Sequence, residues 1–545
     1  MSSEPLSNGN AHLCPAKILR SLPNVLPSDF IIPNLPSKCK WTKIKGEQPK
    51  TPHSQRPFQE RPKICKNILD YVGMTPLVKL NHIPQSLGIK CQMYAKCEFL
   101  NPGGSVKDRI GFRMVLDAEE KGLLKPGIST IIEPTSGNTG VGLAMACAVR
   151  GYRCIIIMPE KMSDEKVNTL KALGAEIIRT PTEAAFDDPD SLIAVAQRLQ
   201  KEIPDSYIPD QYRNAGNPLA HYDGTGSEIL HQLDGKVDMV VLGAGTGGTV
   251  AGIGRKVKED CPNCVVVAVD PEGSILARPL EMNETSVTMY EVEGIGYDFI
   301  PTVIDHTVVD KWMKTNDQIA LPMARRLIRE EGFLCGGSSG SAMAAAIEAA
   351  KNLTEDQACV VVLPDNIRNY MTKFVVDNWM EARELKESVN TEGHSWWNNK
   401  VSNLHLRPPL TVTENVTCQE VIDIMHNEDI DQIPVIDANG SAKGMATINF
   451  LVNKMLNSNL KATDKINKAV FKKFTKVNLN TSIGRLSRIL EKDPYVLVTQ
   501  SQKEYASGET ITREIIIGIV TQRDLMNYIM QSEEKGNFVD GEIVA

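Results

Sequence analysis

Aromatic residues make up only 5% of this 545-residue chain, and no stretch approaches the run of about 18 apolar residues that a membrane span requires. Basic residues do not outnumber acidic ones. With 60 Lys and Arg against 67 Asp and Glu, the net charge is −7, which argues against the concentrated positive face of a nucleic-acid binder. The polar SSEPLSNGN that follows Met1 lacks the apolar core of a signal peptide. The 12 cysteines are scattered rather than arranged in a dense framework. Cys261-Pro-Asn-Cys264 has no second pair nearby to complete a zinc site, and it is read either as a redox-sensitive disulfide or as two free thiols. These absences point to a cytoplasmic protein with neither nucleic acid nor membrane as partner.

What is present is an ordinary globular composition, 42% hydrophobic and 23% charged, in a chain too long for one core. Residues 1–62 are rich in Pro, Ser, Asn and Lys without periodicity and read as a flexible or ligand-ordered segment. Over 63–385, continuous β-branched runs such as CIIIMP, CVVVAVD and CVVVLPD alternate with helical stretches, the pattern of parallel sheets with helices on both faces. Residues 386–405 read as a linker whose Trp396 and Trp397 pack on a neighbour. Residues 406–535 carry a degenerate repeat: Thr417 and Thr481 each open an amphipathic helix, and Gly444-Met-Ala-Thr447 is echoed by Gly518-Ile-Val-Thr521.

Four loops in the long α/β region carry chemistry. NPGGSVKDR, residues 101–109, sets Lys107 behind a tight glycine turn. TIIEPTSGNTG is a strand leading through hydroxyl residues to a helix start, suited to an anion or to simple N-capping. DMVVLGAGTGGT leads a strand into a four-glycine turn that can wrap a phosphate, and FLCGGSSGS opens a further helix. Gly243, Gly245 and Gly248 also satisfy G-x-G-x-x-G, with Asp270 where a dinucleotide fold places its ribose acid. A dinucleotide enzyme, however, has no use for Lys107 or the Asn138 loop. Pyridoxal 5′-phosphate does, because it needs a lysine for its aldehyde, donors for its phosphate and a partner for its ring nitrogen.

The stretches AKCEFLNPGGSVKDRI, IIEPTSGNTG, DQYRNAGNPLAHYD, GAGTGGT, YEVEGIGYDFIPTV, LCGGSSGS and LPDNIRNYMTKF, followed by the repeats, resemble the haem-containing, animal-type cystathionine β-synthases. The resemblance implies an α/β, fold-type II pyridoxal-phosphate enzyme with a C-terminal pair of CBS domains. Its implied reaction joins L-serine to L-homocysteine, giving cystathionine and water in transsulfuration, with sulfide released when cysteine replaces serine. O-acetylserine sulfhydrylase (cysteine synthase) is the alternative. By resemblance Lys107 holds the cofactor and becomes the base at Cα. Gly245, Thr246, Gly247, Gly248 and Thr249 cradle the phosphate, Asn138 bonds the ring hydroxyl and Ser338 meets the ring nitrogen. Thr135, Ser136 and Thr139 take the substrate carboxylate, and Tyr222, Tyr290, Glu293 and Tyr297 line the amino-acid pocket.

The resemblance further makes Cys39 and His53 axial ligands of a non-covalent haem b, with Arg255 pairing the thiolate, and implies a homodimer or tetramer. In the repeats, a nucleoside site wants a Thr and, three residues on, an Asp to accept ribose hydroxyls. Thr521 and Asp524 meet this, whereas Thr447 is followed by Phe450. Ile430 stands before Asp431-Gln432, where an aromatic would stack on adenine. At most one nucleoside site and weak or absent activation by S-adenosylmethionine are therefore expected.

Overall fold

Short strands with buried faces build the structure from residue 77 onward. In this computed structural model the described residues are 64–539, apart from 136, 161, 181–190, 286, 288, 388–392, 438–439, 458–459, 472–473, 492 and 507–508. The expectations for residues 1–62, including Cys39 and His53, and for Ser136 fall outside the described residues.

The strands are β1 (Leu77–Lys79), β2 (Gln92–Cys97), β3 (Thr130–Pro134), β4 (Arg153–Pro159), β5 (Glu176–Thr180), β6 (Ser206–Tyr207), β7 (Met239–Gly243), β8 (Val265–Pro271), β9 (Lys311–Thr315) and β10 (Ala358–Leu363). They form a six-stranded sheet in the order β1-β2-β10-β7-β8-β9 and a four-stranded sheet in the order β5-β4-β3-β6. Every pairing is parallel except β1 with β2. β3 is buried at every position and β4 at all but Arg153, as strands covered on both faces require. The parallel α/β expectation is met.

In an open parallel sheet, ligands collect outside the carboxyl ends of the strands. Three of the four chemistry-bearing loops sit there or beside it. The Asn138–Arg150 helix follows β3 and the Gly248–Asp260 helix follows β7. The loop before the Lys107–Glu120 helix is tied to the end of β10: Val106 N donates to Pro364 O at 2.8 Å, and Asn366 N donates to Gly104 O at 3.0 Å. The helices starting at Lys107 and Asn138 cross in backbone contact. A Cβ on Gly142 would stand 2.7 Å from the Lys107 carbonyl oxygen, and one on Gly111 2.7 Å from the Gly142 carbonyl carbon. Two glycines thus set the distance between the two helix starts.

The next turn of the Lys107 helix is held by buried charge. Arg109 donates through Nε to Glu98 and through Nη1 to Glu228, each at 2.7 Å, and Lys96 Nζ donates to Glu228 at 2.7 Å. Burial alone would raise the Glu228 carboxyl, but the bonds and charges of Arg109 and Lys96 override it and hold it at about 2.

The C-terminal module repeats one pattern. β11 (Val412–Thr413), β12 (Gln432–Ile436) and β13 (Ala442–Thr447) form one sheet; β14 (Lys476–Val477), β15 (Tyr495–Ala506) and β16 (Glu509–Thr521) form the other. In both, a parallel pair is followed by an antiparallel one. Thr417 caps the Cys418–Asn427 helix in a reciprocal box with Glu420. In the second repeat the cap is Ser482 rather than the expected Thr481, whose hydroxyl instead accepts from Asn478 N. Trp396 and Trp397 are buried as expected of a segment pressed onto its neighbour. The Trp397 ring lies where a Cβ on Gly484 would sit, and the Arg488 guanidinium stacks 5.0 Å from its centroid. The module also reaches the Asp377–Ala382 helix: Asn378 Nδ2 donates to Glu491 at 2.8 Å, and Arg485 pairs with Glu384 just beyond it.

Candidate active site

One cavity gathers Lys107, Asn138, Thr139, Gly245, Thr246, Gly247, Thr249, Ser338 and Tyr297 from five separate segments. Gly247 is the residue before the Gly248–Asp260 helix and has φ +89°, a left-handed conformation that admits glycine without strain. A Cβ on Gly245 would stand 2.6 Å from the Gly294 carbonyl oxygen, so the turn lies flush against its neighbour and only glycine fits there. Unbonded amides at a helix start, reinforced by the helix dipole, make an anion cradle.

The cradle's hydroxyls are fixed from behind. Asn217 Nδ2 donates to Thr246 Oγ1 at 2.9 Å, and the Thr249 hydroxyl lies 3.2 Å from His221 Nε2. Burial, helped by the nearby cations Lys107 and Arg109, drives the His221 imidazole down to about 3, so it is neutral at any ordinary pH. Thr139 donates to Gln211 Oε1 at 2.7 Å, and Gln211 donates in turn to Pro134 O. Thr135 is fully buried, and its hydroxyl accepts from Gly137 N, just before the Asn138–Arg150 helix. Ser338 lies in the first turn of the Gly337–Ala349 helix, buried against the same cavity.

Lys107 begins its helix and keeps part of its surface open to this cavity. Burial of its ammonium lowers it to about 8, against the opposing pull of Asp365. Asp365, which follows β10, is itself raised by burial and lines the same cavity. The amine can therefore gain or lose a proton close to neutral pH, as a group that must both take and return one requires.

The amino-acid pocket expectations divide. Tyr297 lines the cavity, and burial raises its phenol to about 12. Tyr290 stands behind the wall, its hydroxyl 2.4 Å from where a Cβ on Gly296 would be. Glu293 has both oxygens occupied: Lys166 Nζ donates to it at 2.6 Å and Lys373 pairs with the other oxygen. Burial would raise this carboxyl, but the two cations hold it at about 2. Tyr222 is placed elsewhere. It lies on a π-helical turn and donates to Glu259 at 2.5 Å on the exposed side. The tyrosine of that segment beside the cavity wall is Tyr212, packed edge-on to Tyr297 at 5.6 Å and to Phe299 at 5.2 Å. Buried Glu133 secures its loop by accepting from Asp210 N and Gln211 N.

The dinucleotide alternative finds its acid engaged. Asp270 Oδ2 accepts from Lys314 Nζ at 2.7 Å and from Ala277 N at 3.1 Å. Cys261 and Cys264 are both free thiols. Arg255, on the half-exposed face of the Gly248–Asp260 helix, donates to Asp305 at 2.8 Å. In the C-terminal module, the Thr521 hydroxyl and amide both donate to Asp524 Oδ2, at 2.7 and 2.8 Å, and Thr447 Oγ1 accepts from Phe450 N. Ile430 packs against the core of the first repeat. No helix among the described residues is long and apolar enough to cross a membrane, and no cluster of His, Cys, Asp and Glu among them could hold a metal ion.

A titrating lysine at one helix start, an anion cradle at another and parallel sheets behind both define the class, a pyridoxal-phosphate-dependent enzyme of fold type II. Residues 68–365 match the family model described as pyridoxal-phosphate dependent enzyme, and residues 401–449 match that of the CBS domain. The chain is 52% identical over 503 residues to cystathionine beta-synthase of Oryctolagus cuniculus, covering 92% of this chain and 91% of that protein. It is also 52% identical to that of Apis mellifera, covering 94% and 99%. A probable cysteine synthase of Bacillus subtilis is 44% identical but covers 57% of this chain. Among solved structures, the O-acetylserine dependent cystathionine beta-synthase of Helicobacter pylori matches with TM-score 0.53 at 36% identity, over 57% of this chain and 98% of its own. A hydrogen sulfide-producing enzyme of Fusobacterium nucleatum matches equally, over 56% and 100%. The chain belongs to the cystathionine β-synthase family.

The two tyrosines separate cleanly by experiment. Tyr212→Ala should raise KM for the amino-acid substrate roughly tenfold, the loss of about 1.4 kcal/mol of packing against the cavity wall. Tyr222→Ala should leave KM within about twofold, since removing a solvent-exposed hydrogen bond changes little. Steady-state kinetics in which Tyr222→Ala carries the larger defect would restore the sequence-based assignment.

Proposed function

We propose that the protein condenses L-serine with L-homocysteine to L-cystathionine and water, using the cavity around Lys107. The observation that carries this reading is that similarity to cystathionine β-synthases runs through more than nine-tenths of the chain, both sheets and the C-terminal module included. Similarity to a cysteine synthase stops at little more than half.

The residues fit pyridoxal phosphate. Lys107 Nζ would hold it, the turn from Gly245 to Thr249 would donate to its phosphate, and Asn138 and Ser338 would meet its ring. When bound, that cofactor supplies a sink for electrons released at the substrate's Cα. The chain's own groups do the rest. Thr135, Ser136 and Thr139 receive the substrate carboxylate at the start of the Asn138 helix, where the dipole favours an anion. Lys107 Nζ takes the Cα proton of serine and returns a proton to the serine hydroxyl as its bond to Cβ breaks, so that water leaves rather than hydroxide, a poor leaving group. The Ser338 hydroxyl places no negative charge at the ring, so it does not favour a protonated ring nitrogen. Tyr297 forms part of the pocket wall, and Tyr212 and Phe299 pack against its ring.

Haem b belongs to the amino-terminal segment in this reading, with Cys39 and His53 as iron ligands and Arg255 as the charge partner of the thiolate. What supports it is the resemblance of PSKCKW and TPHS to the family's haem segment. The C-terminal module takes at most one nucleoside per chain, at Thr521 and Asp524, because Phe450 offers the first repeat no acceptor.

Lys107→Ala should lower cystathionine formation by roughly 10³-fold or more while far-UV circular dichroism is unchanged, because the variant lacks the amine that carries the proton. The parent enzyme should use serine; if it used only O-acetylserine with sulfide, the cysteine-synthase reading would replace this one. Cys39→Ser should shift the haem Soret band, since an alcohol is a far poorer ligand to iron than a thiolate. An unmoved band would remove Cys39 from the iron. Titration calorimetry with S-adenosylmethionine should find one weak site or none, and two sites per chain would overturn the reading of Phe450.

A further inference from the structure

Asp365 was not among the residues the sequence singled out, yet it stands at the centre of the cavity's polar wall. It is 1% exposed, and its two oxygens have different surroundings. Oδ2 accepts from Asn138 Nδ2 at 2.9 Å and from the Tyr370 hydroxyl at 2.5 Å. Oδ1 has no hydrogen-bond partner among the described residues, and it lies where Gly336 leaves room: a Cβ there would stand 2.1 Å away. The backbone around it is fixed by the hydrogen bonds from Gly336 N to Asp365 O and from Asn366 N to Gly104 O.

The consequence falls on Asn138. A side-chain amide can rotate by half a turn, exchanging its oxygen for its nitrogen at almost no steric cost. Here both ends are read by neighbours. Nδ2 donates to Asp365, and Oδ1 accepts from Asn369 Nδ2 at 3.1 Å. The reversed amide would set oxygen against the Asp365 carboxyl and nitrogen against the Asn369 amide nitrogen, two contacts that repel. In the orientation that remains, one Nδ2 hydrogen goes to Asp365 and the other is free for the cavity.

We infer that Asp365 is a positioning residue: it locks the Asn138 amide so that a hydrogen-bond donor, never an acceptor, faces the ring oxygen of the bound cofactor. This rests on the reading of Asn138 as that oxygen's partner. Tyr370 holds the carboxyl from behind, and Lys166 Nζ lies 5.0 Å from the Tyr370 ring centroid. The lock does not depend on the charge of Asp365. Burial raises its carboxyl, with the Lys166 cation and its two donors opposing; ionised, or protonated on the otherwise unpartnered Oδ1, it leaves Oδ2 to accept both bonds. An amide at position 365 can place its own oxygen there; an alkyl group cannot.

The test uses the full-length protein loaded with pyridoxal phosphate, and reads the wavelength of the bound cofactor's fluorescence together with the dissociation constant for the cofactor. Asn138→Ala and Asp365→Leu should displace the emission in the same direction and each weaken retention of the cofactor by about tenfold. The double variant should be no worse than Asn138→Ala alone, because the two act through one bond. Asp365→Asn should keep the parent emission. If Asp365→Leu fails to fold, Tyr370→Phe should still shift the emission part of the way. Unchanged emission in Asp365→Leu, or in Tyr370→Phe, beside a shifted Asn138→Ala would overturn the inference alone, as would effects that add in the double variant. Unchanged emission in Asn138→Ala would remove the ring-oxygen reading, and the inference with it.

Discussion

Two backbone hydrogen bonds, from Val106 N to Pro364 O and from Asn366 N to Gly104 O, decide where the chemistry happens. They stitch a turn that precedes a helix to the carboxyl end of a strand more than 250 residues later. Without them, Lys107 would begin a helix somewhere on a surface. With them, it faces Asp365 and, through it, Asn138. Backbone bonds suit this task because they fix the chain without using any side chain the site needs. The glycine contact between the helices starting at Lys107 and Asn138 sets the remaining distance, since neither helix can approach or retreat without opening a gap or a clash.

Two lysines in this region show how environment separates chemistry from structure. Lys166 is 1% exposed, and its Nζ meets the Glu293 carboxylate at 2.6 Å, so it is committed to an ion pair that braces the wall beneath the Asn138 loop. Among the described residues Lys107 has no carboxylate at ion-pair distance. Its amine is brought by burial to about 8, within reach of the protonation states it must alternate between. The two amines thus differ in their partners: one is paired at contact distance, and the other is faced by Asp365 across a cavity.

The parallel α/β fold, the glycine cradle and Lys107 were legible because each is a local pattern: a β-branched run, a turn, a helix start. What stayed hidden depends on partners far along the chain. LPDN reads as an ordinary strand end, and nothing near it in the sequence says that Asp365 will meet Asn138 across 227 positions. Glu293 reads as a pocket acid, but Lys166 and Lys373 occupy both of its oxygens. DQYRNAGNPLAHYD holds two tyrosines ten residues apart, each in polar company, and no periodicity distinguishes them. The tertiary structure does. Tyr212 finds Tyr297 and Phe299, whereas the π-helical turn points Tyr222 at Glu259.

The C-terminal module shows the same division in its repeats. Strand pairing is kept in both copies, since each must bury an apolar face against its neighbour, whereas the polar details have diverged. Thr447 and Thr521 occupy equivalent strand ends and both hydroxyls accept from the amide three residues on, yet only that of Thr521 also donates to a carboxylate, that of Asp524. A carboxylate has lone pairs left for a further donor after that bond; a phenyl ring offers none. The second repeat is also the one whose helix meets the catalytic region, through Arg485 with Glu384 and Asn378 with Glu491. The half of the module in which the carboxylate stands is therefore also the half whose helix is tied to the Asp377–Ala382 helix and to Glu384 just beyond it.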